Sequence, residues 1–322
     1  MTRLALVITL AALLGLAATS HADGPGLASV AEIQTRHDRA LVKDLAAYLA
    51  KTPKPDDLDQ AYLTFFNKAI EHDWFLENEA IAKAYLKEYP EGPVRPLARI
   101  VVTMARAQAG GYAEALASFR LLIDALNSAD QLDFAANFAD SLAGLATSSG
   151  EIDVAREVYA TLLQKFGADN PGLKQKVSDD LARLDRVGKP VASAQVKDID
   201  GKSFRFESLK GKYVLVDFWA TWCAPCLAEL PRIQAARAKY QSRGFEVVSV
   251  SLDETKGPVV DFVKVRKLPW VQIHNATCVG DLVQAFGVST IPATFLVDPK
   301  GTIVRLDLRG PALDKALDAL IK

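Results

Sequence analysis

From about residue 28 to residue 187, apolar side chains recur every three or four positions, as in Leu41-Leu45-Leu49 and Leu121-Leu122-Leu126. That spacing lines one face of a helix. Alanine is abundant and β-branched runs are few, so helices are predicted throughout. Breaks fall at Thr52-Pro53-Lys54-Pro55, Tyr89-Pro90-Glu91-Gly92-Pro93, Gly110-Gly111, Ser148-Ser149-Gly150 and Asn170-Pro171-Gly172. After Gly188-Lys189-Pro190 the period changes. Residues 196–206 alternate about Asp200-Gly201, a hairpin-turn signal. An apolar strand is predicted at 213–217, a helix at about 223–243 and a buried strand at 245–252. A helix at 258–267, a short strand at 270–273 and a helical turn at 280–286 follow. Strands at 294–297 and 302–308 pair about Pro299-Lys300-Gly301, and a helix at 311–321 closes the chain. Strands alternating with helices, then an antiparallel hairpin, make a mixed α/β sheet.

The helical part repeats itself. Gly110, Tyr112, Ala115 and Phe119 match Gly150, Ile152, Ala155 and Tyr159 at an offset of 40 residues. This resembles the turn and second helix of a tetratricopeptide-type pair. A generic alanine-rich helical bundle would carry a similar pattern and stays open. Either way the helices offer a surface for a partner, or for a second copy in a homo-oligomer.

The chain has 322 residues, is 50% hydrophobic and carries a net charge of −1. It is long enough for two domains, and its charge gives no reason to expect nucleic acid. The N-terminus adds a compartment. Arg3, the apolar residues 4–18 and then Thr19-Ser20-His21-Ala22 read as a secretory signal peptide over 1–22, cleaved after Ala22. The apolar run is short of the roughly 20 residues a membrane anchor needs. The protein is therefore expected to be exported, most simply to a periplasm. The expected domains are helical over 23–187, a linker over 188–195 and an α/β domain over 196–322.

Three cysteines in an exported chain do not make a disulfide scaffold. Cys223 and Cys226 are better explained by reactivity. They stand where a buried strand gives way to a helix, and a thiol at a helix N-terminus has its thiolate stabilised. A second thiol one turn later can attack a mixed disulfide made by the first. The redox group is then the cysteine pair itself, with no dissociable cofactor and no metal. Zinc held by Cys223, Cys226, Cys278 and His274 lacks the usual paired spacing. A peroxiredoxin arrangement also fails locally, because Val216 and Ala220 hold the places of its usual proline and threonine.

The stretch Val214-Leu-Val-Asp-Phe-Trp-Ala-Thr-Trp-Cys-Ala-Pro-Cys226 resembles a thioredoxin-fold active site. Pro231 matches the helix-kinking proline of thioredoxins, and the loop Gly287-Val288-Ser289-Thr290-Ile291-Pro292 is similar to their cis-proline loop. The hairpin about Asp200-Gly201 and the added segment 253–286 narrow the likeness to exported TlpA-like and ResA-like thiol-disulfide oxidoreductases, over about residues 188–322.

The resemblance implies roles. Cys223 is the exposed nucleophile with a lowered pKa, and Cys226 is the buried resolving thiol. Ala224 and Pro225 fill the gap between them. Asp217, in an apolar strand, has a raised pKa and serves the proton of the resolving thiol. Pro292 is cis, and Ile291 offers backbone to a substrate strand. Trp222 shapes the surface near the thiols, and Trp219 is largely core. One feature departs from thioredoxins: residues 245–252 carry no lysine near Asp217. Glu229 is expected to be a solvated helix residue.

The resemblance further implies substrates such as apocytochrome or other disulfide-bearing exported proteins, and a membrane thiol donor of the cytochrome c biogenesis type. Reduction is the expected direction. A disulfide oxidase or isomerase remains open, as does a helical partner-binding module with an auxiliary thioredoxin domain.

Overall fold

The computed structural model describes residues 30–51, 56–191, 195–277 and 281–321. The expected signal peptide, the break at 52–55, residues 192–194 of the expected linker and Cys278 lie outside them. Among the described residues no helix is long and apolar enough to cross a membrane. The chain divides into two compact units, Met1–Ala61 and Tyr62–Lys322. The first contains α1 (Val30–Leu49) and the start of α2 (Leu58–Glu71).

The second unit contains both a helical array and a sheet. Its helices are α3 (Phe75–Glu88), α4 (Arg95–Gln108), α5 (Tyr112–Ala125), α6 (Leu132–Ser149), α7 (Ile152–Phe166) and α8 (Pro171–Leu184). α4 and α6 end alike. Gly110 and Gly150 take φ of +89° and +91°, a left-handed conformation that glycine adopts without a Cβ clash. The next amide then bonds back five residues, Gly111 N–H to Arg106 O at 2.8 Å and Glu151 N–H to Ala146 O at 2.8 Å. These turns let α5 and α7 fold back. Ala115, Phe119 and Ala155 are wholly buried and Tyr159 nearly so. Asn170 caps α8 by accepting from Leu173 N at 2.8 Å, with Pro171 at its first position.

β1 (Gln195–Lys197) and β2 (Ser203–Arg205) form the expected hairpin. Asp198 Oδ1 accepts from the amides of Asp200 and Lys202, and Gly201 supplies the left-handed corner. A five-stranded sheet has the order β5-β4-β3-β6-β7. β3 (Tyr213–Trp219) runs parallel to β4 (Phe245–Ser251), which runs parallel to β5 (Val271–His274). β6 (Ala293–Val297) and β7 (Ile303–Leu306) are antiparallel. The helices are α9 (Ala224–Tyr240), α10 (Lys256–Arg266), α11 (Leu282–Phe286) and α12 (Pro311–Leu320). The fold is a thioredoxin-type mixed sheet flanked by helices, preceded by an all-helical part.

β3 is central, and all but its first residue are buried. Leu215 faces a cluster with Leu230, Tyr240, Phe245, Trp270 and Leu317. On the alternate face, Phe286 meets Phe206, Phe218 and Phe295 with ring centroids 5.8, 5.2 and 5.0 Å away.

Two details differ from the sequence pattern. β7 stops at Leu306 rather than 308, because Asp307 turns left-handed at φ +55°. The start of the expected linker does not hang free. Gly188 N–H bonds to Ile303 O at 2.9 Å, Ile303 N–H to Lys189 O at 3.0 Å and Val191 N–H to Gly301 O at 2.8 Å. These bonds cover the outer edge of β7, which would otherwise offer unpaired backbone.

Removing the hub of the aromatic face should be costly. Phe286→Ala is expected to lower unfolding free energy by about 3–5 kcal/mol, read from urea denaturation of the oxidised protein.

Candidate active site

β3 delivers the chain into the site. Trp219 ends the strand wholly buried, and its carbonyl accepts from Leu252 N at 2.8 Å. The next three residues turn into α9. Asp253, just past β4, braces that turn. Its carboxylate accepts from Thr221 N at 3.0 Å, from Thr221 Oγ1, and from Ser251 Oγ at 2.7 Å. The backbone oxygen of Asp253 contacts His274 Nε2 at 2.7 Å, so this nitrogen is engaged away from the cysteines.

Cys223 is the N-cap of α9, and its sulfur accepts from the amide of Cys226 at 3.3 Å. Helix N-termini leave such amides without partners, and they favour negative charge. The two cysteines form a disulfide, S–S 1.98 Å. Pro225 sits in the first turn and Pro231 inside the helix. Trp222 is 67% exposed, and Ala224 and Pro225 are exposed beside it. Those three residues therefore border the disulfide on the solvent side.

Cys223 itself is not exposed. It is 5% accessible and Cys226 is 3% accessible. Both belong to an apolar cluster with Trp219, Ala220 and Val259, against which Ile199, Leu227, Phe262 and Ile291 pack. With its sulfur bonded to Cys226 and its flank covered by these side chains, Cys223 shows little surface. The Ile291–Pro292 bond is cis. Ile291 rests on the cysteine cluster, and Pro292 O accepts from Arg309 Nη2.

Asp217 lies on the face of β3 shared with Trp219, since alternate residues point the same way. It is 3% accessible. Burial raises its pKa from 3.8 to about 7. A hydrogen bond from Ser249 Oγ, 3.1 Å from Oδ2, and the charge of Arg309 pull it down, while the charge of Glu229 pushes it up. Ser249 pairs in register with Asp217 across β3 and β4 and receives Trp270 Nε1–H at 2.8 Å. A serine thus occupies the place opposite the carboxyl where β4 has no lysine.

Glu229 is not a solvated helix residue. It is half-buried, and its Oε2 accepts from Gly310 N at 2.9 Å. Gly310 is the N-cap of α12, whose free amide and positive dipole end attract a carboxylate. The participation of Glu229, Asp253, Ser249 and Arg309 depends on contacts between residues 17 to 81 positions apart. Periodicity carries no signal for them. The missing lysine at least marked the proton route as unusual.

A family model described as the AhpC/TSA family matches residues 187–306. The thiol-disulfide oxidoreductase ResA of Bacillus thuringiensis subsp. konkukian is 32% identical over 137 residues, which are 42% of this chain and 77% of that protein. The chain belongs to the ResA-like thiol-disulfide oxidoreductases. A ResA of Bacillus cereus is 34% identical over 145 residues, 45% of this chain and 75% of that protein. Among solved structures, the thioredoxin domain of a thiol-disulfide oxidoreductase from Bacteroides vulgatus is 29% identical, covering 42% of this chain and 98% of that one, with a TM-score of 0.40. The enzyme is a thiol-disulfide oxidoreductase, and Cys223 and Cys226 stand at disulfide distance at the start of α9.

The buried carboxyl has a measurable signature. As pH rises from about 4 to about 7, Asp217 ionises in the unfolded chain but holds its proton in the folded one. Stability is lost across that window, by about 4 kcal/mol at one pKa unit per 1.36 kcal/mol. Asp217→Asn has no such penalty. Its stability relative to the parent, from urea denaturation, should rise by several kcal/mol between pH 4 and pH 8. A flat difference would mean that Asp217 ionises normally.

Proposed function

We propose that this protein is a reductase of disulfides in exported proteins, of the kind that serves cytochrome c maturation. The observation that carries the reading is Cys223 at the N-cap of α9, its sulfur facing the Cys226 amide, with Asp217 buried on the face of β3 that it shares with Trp219 of the cysteine cluster.

In the reduced protein the Cys223 thiolate attacks one sulfur of a substrate disulfide. A mixed disulfide forms and the other substrate sulfur leaves as a thiolate. The Cys226 thiol passes its proton to Asp217, whose pKa of about 7 suits it to accept and release protons near neutrality. The Cys226 thiolate then attacks Cys223 Sγ. The second substrate thiolate leaves, and the Cys223–Cys226 disulfide remains. Two electrons have passed to the substrate. A thiol donor at the membrane would return the pair to the dithiol.

Two features favour reduction over oxidation. A thiolate among Trp219, Val259 and Ile291 is poorly solvated, and the Asp217 carboxylate repels it, so a neutral disulfide is the better-tolerated state. Ile291 before Pro292 is also as in thioredoxins. Trp222, Ala224 and Pro225, with the backbone of Ile291, would meet the substrate chain. Cleavage of a signal peptide over 1–22 during export to a periplasm would place the enzyme with such substrates.

The order of attack is directly testable. Prereduced Cys226→Ala, mixed with a disulfide-bearing secreted protein such as insulin, should accumulate a covalent complex through Cys223. The parent should reduce the substrate without accumulating one. No adduct, or an adduct formed by Cys223→Ala, would contradict the assignment; both are read by non-reducing electrophoresis and mass spectrometry.

A further inference from the structure

The loop 287–292 faces the disulfide on one side and the helical array on the other. Its start lies against α8: a side chain added at Gly287 would stand 3.7 Å from Arg186 Nε and 3.9 Å from the Cα of Arg183. Its last carbonyl, that of Pro292, is held by Arg309. One carboxylate joins these two ends. Arg183 Nη1 donates to both oxygens of Asp307 at 2.7 Å, and Arg309 Nη2 lies 3.8 Å from Asp307 Oδ1.

This chain of contacts is built for position. The Arg183 and Asp307 side chains are only 17% and 13% exposed, so water screens their attraction weakly. One nitrogen, Nη1, meets both carboxylate oxygens, which centres the carboxylate on it and fixes where Asp307 sits. Asp307 holds the left-handed φ of +55° noted above, an uncommon conformation for a residue with a side chain. Its amide donates to Thr294 O at 2.8 Å, and Thr294 follows Pro292 by two residues. The turn at Asp307 therefore binds both to α8 and to the strand that leaves the cis-proline. α8 needs no ion pair to stay on the sheet, because the backbone bonds of 188–191 to β7 already hold its end. Beside the loop, Ser289 and Thr290 form one wall of a cleft of about 570 Å³, and Gly144, Tyr159 and Lys176 form the other.

We propose that Arg183 is a positioning residue for substrate binding: through Asp307 and Arg309 it fixes the loop 287–292, and with it the cleft that takes the substrate chain flanking the reacting cysteine. The helical array is thus part of the apparatus that receives an extended peptide. This rests on the disulfide-exchange reading above.

The test uses the full mature chain with Arg183→Met, which keeps the stem and removes the pairing, and Arg183→Lys, which keeps the charge without the fork. Amide hydrogen exchange over 287–291 in the oxidised protein needs no turnover. Arg183→Met is expected to speed it about tenfold. With a peptide disulfide as substrate, KM should rise about tenfold while kcat stays within about twofold, because binding is misplaced and the thiols are not. Arg183→Lys should fall between the two and serves if Arg183→Met does not fold. A lowered melting temperature with loop exchange and KM both at parental values would show a purely structural ion pair and overturn the proposal. A parent that reduces no peptide disulfide would refute the exchange reading instead, and the exchange measurement on the loop would still decide whether Arg183 positions it.

Discussion

A carboxyl group sits in the central strand of the sheet with a hydroxyl as its hydrogen-bond partner, and much of the active site is arranged around that placement. Asp217 stands on the central strand, between parallel β4 and antiparallel β6. Leaving it charged there is costly, and Ser249 offsets only part of the cost. The same placement makes it useful, since a group that is half-protonated near neutrality can exchange protons with a thiol. A lysine close by would hold the carboxylate charged; Arg309 acts more weakly, from a side chain 43% exposed.

Hydrogen bonds hold the turn that carries the thiols, and exposed residues border the disulfide on the solvent side. Asp253 clamps the turn before Cys223, and the Cys223 cap fixes the first turn of α9. Glu229 ties that helix to the start of α12. On the solvent side lie Trp222, Ala224 and Pro225, with few constraints. In the oxidised state Cys223 and Cys226 are only 5% and 3% accessible.

Much of the fold could be read from local pattern. Asp200-Gly201 needed a left-handed corner and made a hairpin, and the apolar runs at 213–217 and 245–252 became central strands. The cysteine pair was legible because strand, helix start and proline spacing agree with one another. What local pattern could not supply were encounters between distant residues. Glu229 looked like an ordinary exposed helix residue until α12 brought an unpaired amide to it. Cys223 looked exposed until Ile291 and Phe262 packed beside it. Nothing in residues 188–191 announced that their backbone would pair with β7, nor that Arg183 would reach a carboxylate 124 residues away.

The reduction potential of Cys223–Cys226 bears most directly on the direction of exchange. The protein can be equilibrated against glutathione or dithiothreitol, with tryptophan fluorescence as the signal, since Trp219 shares a buried cluster with both cysteines. A buried, carboxylate-backed pair that favours the disulfide predicts a value near thioredoxin's, about −270 mV. A value of roughly −120 to −180 mV, in the range of oxidases and isomerases, would contradict a reductase.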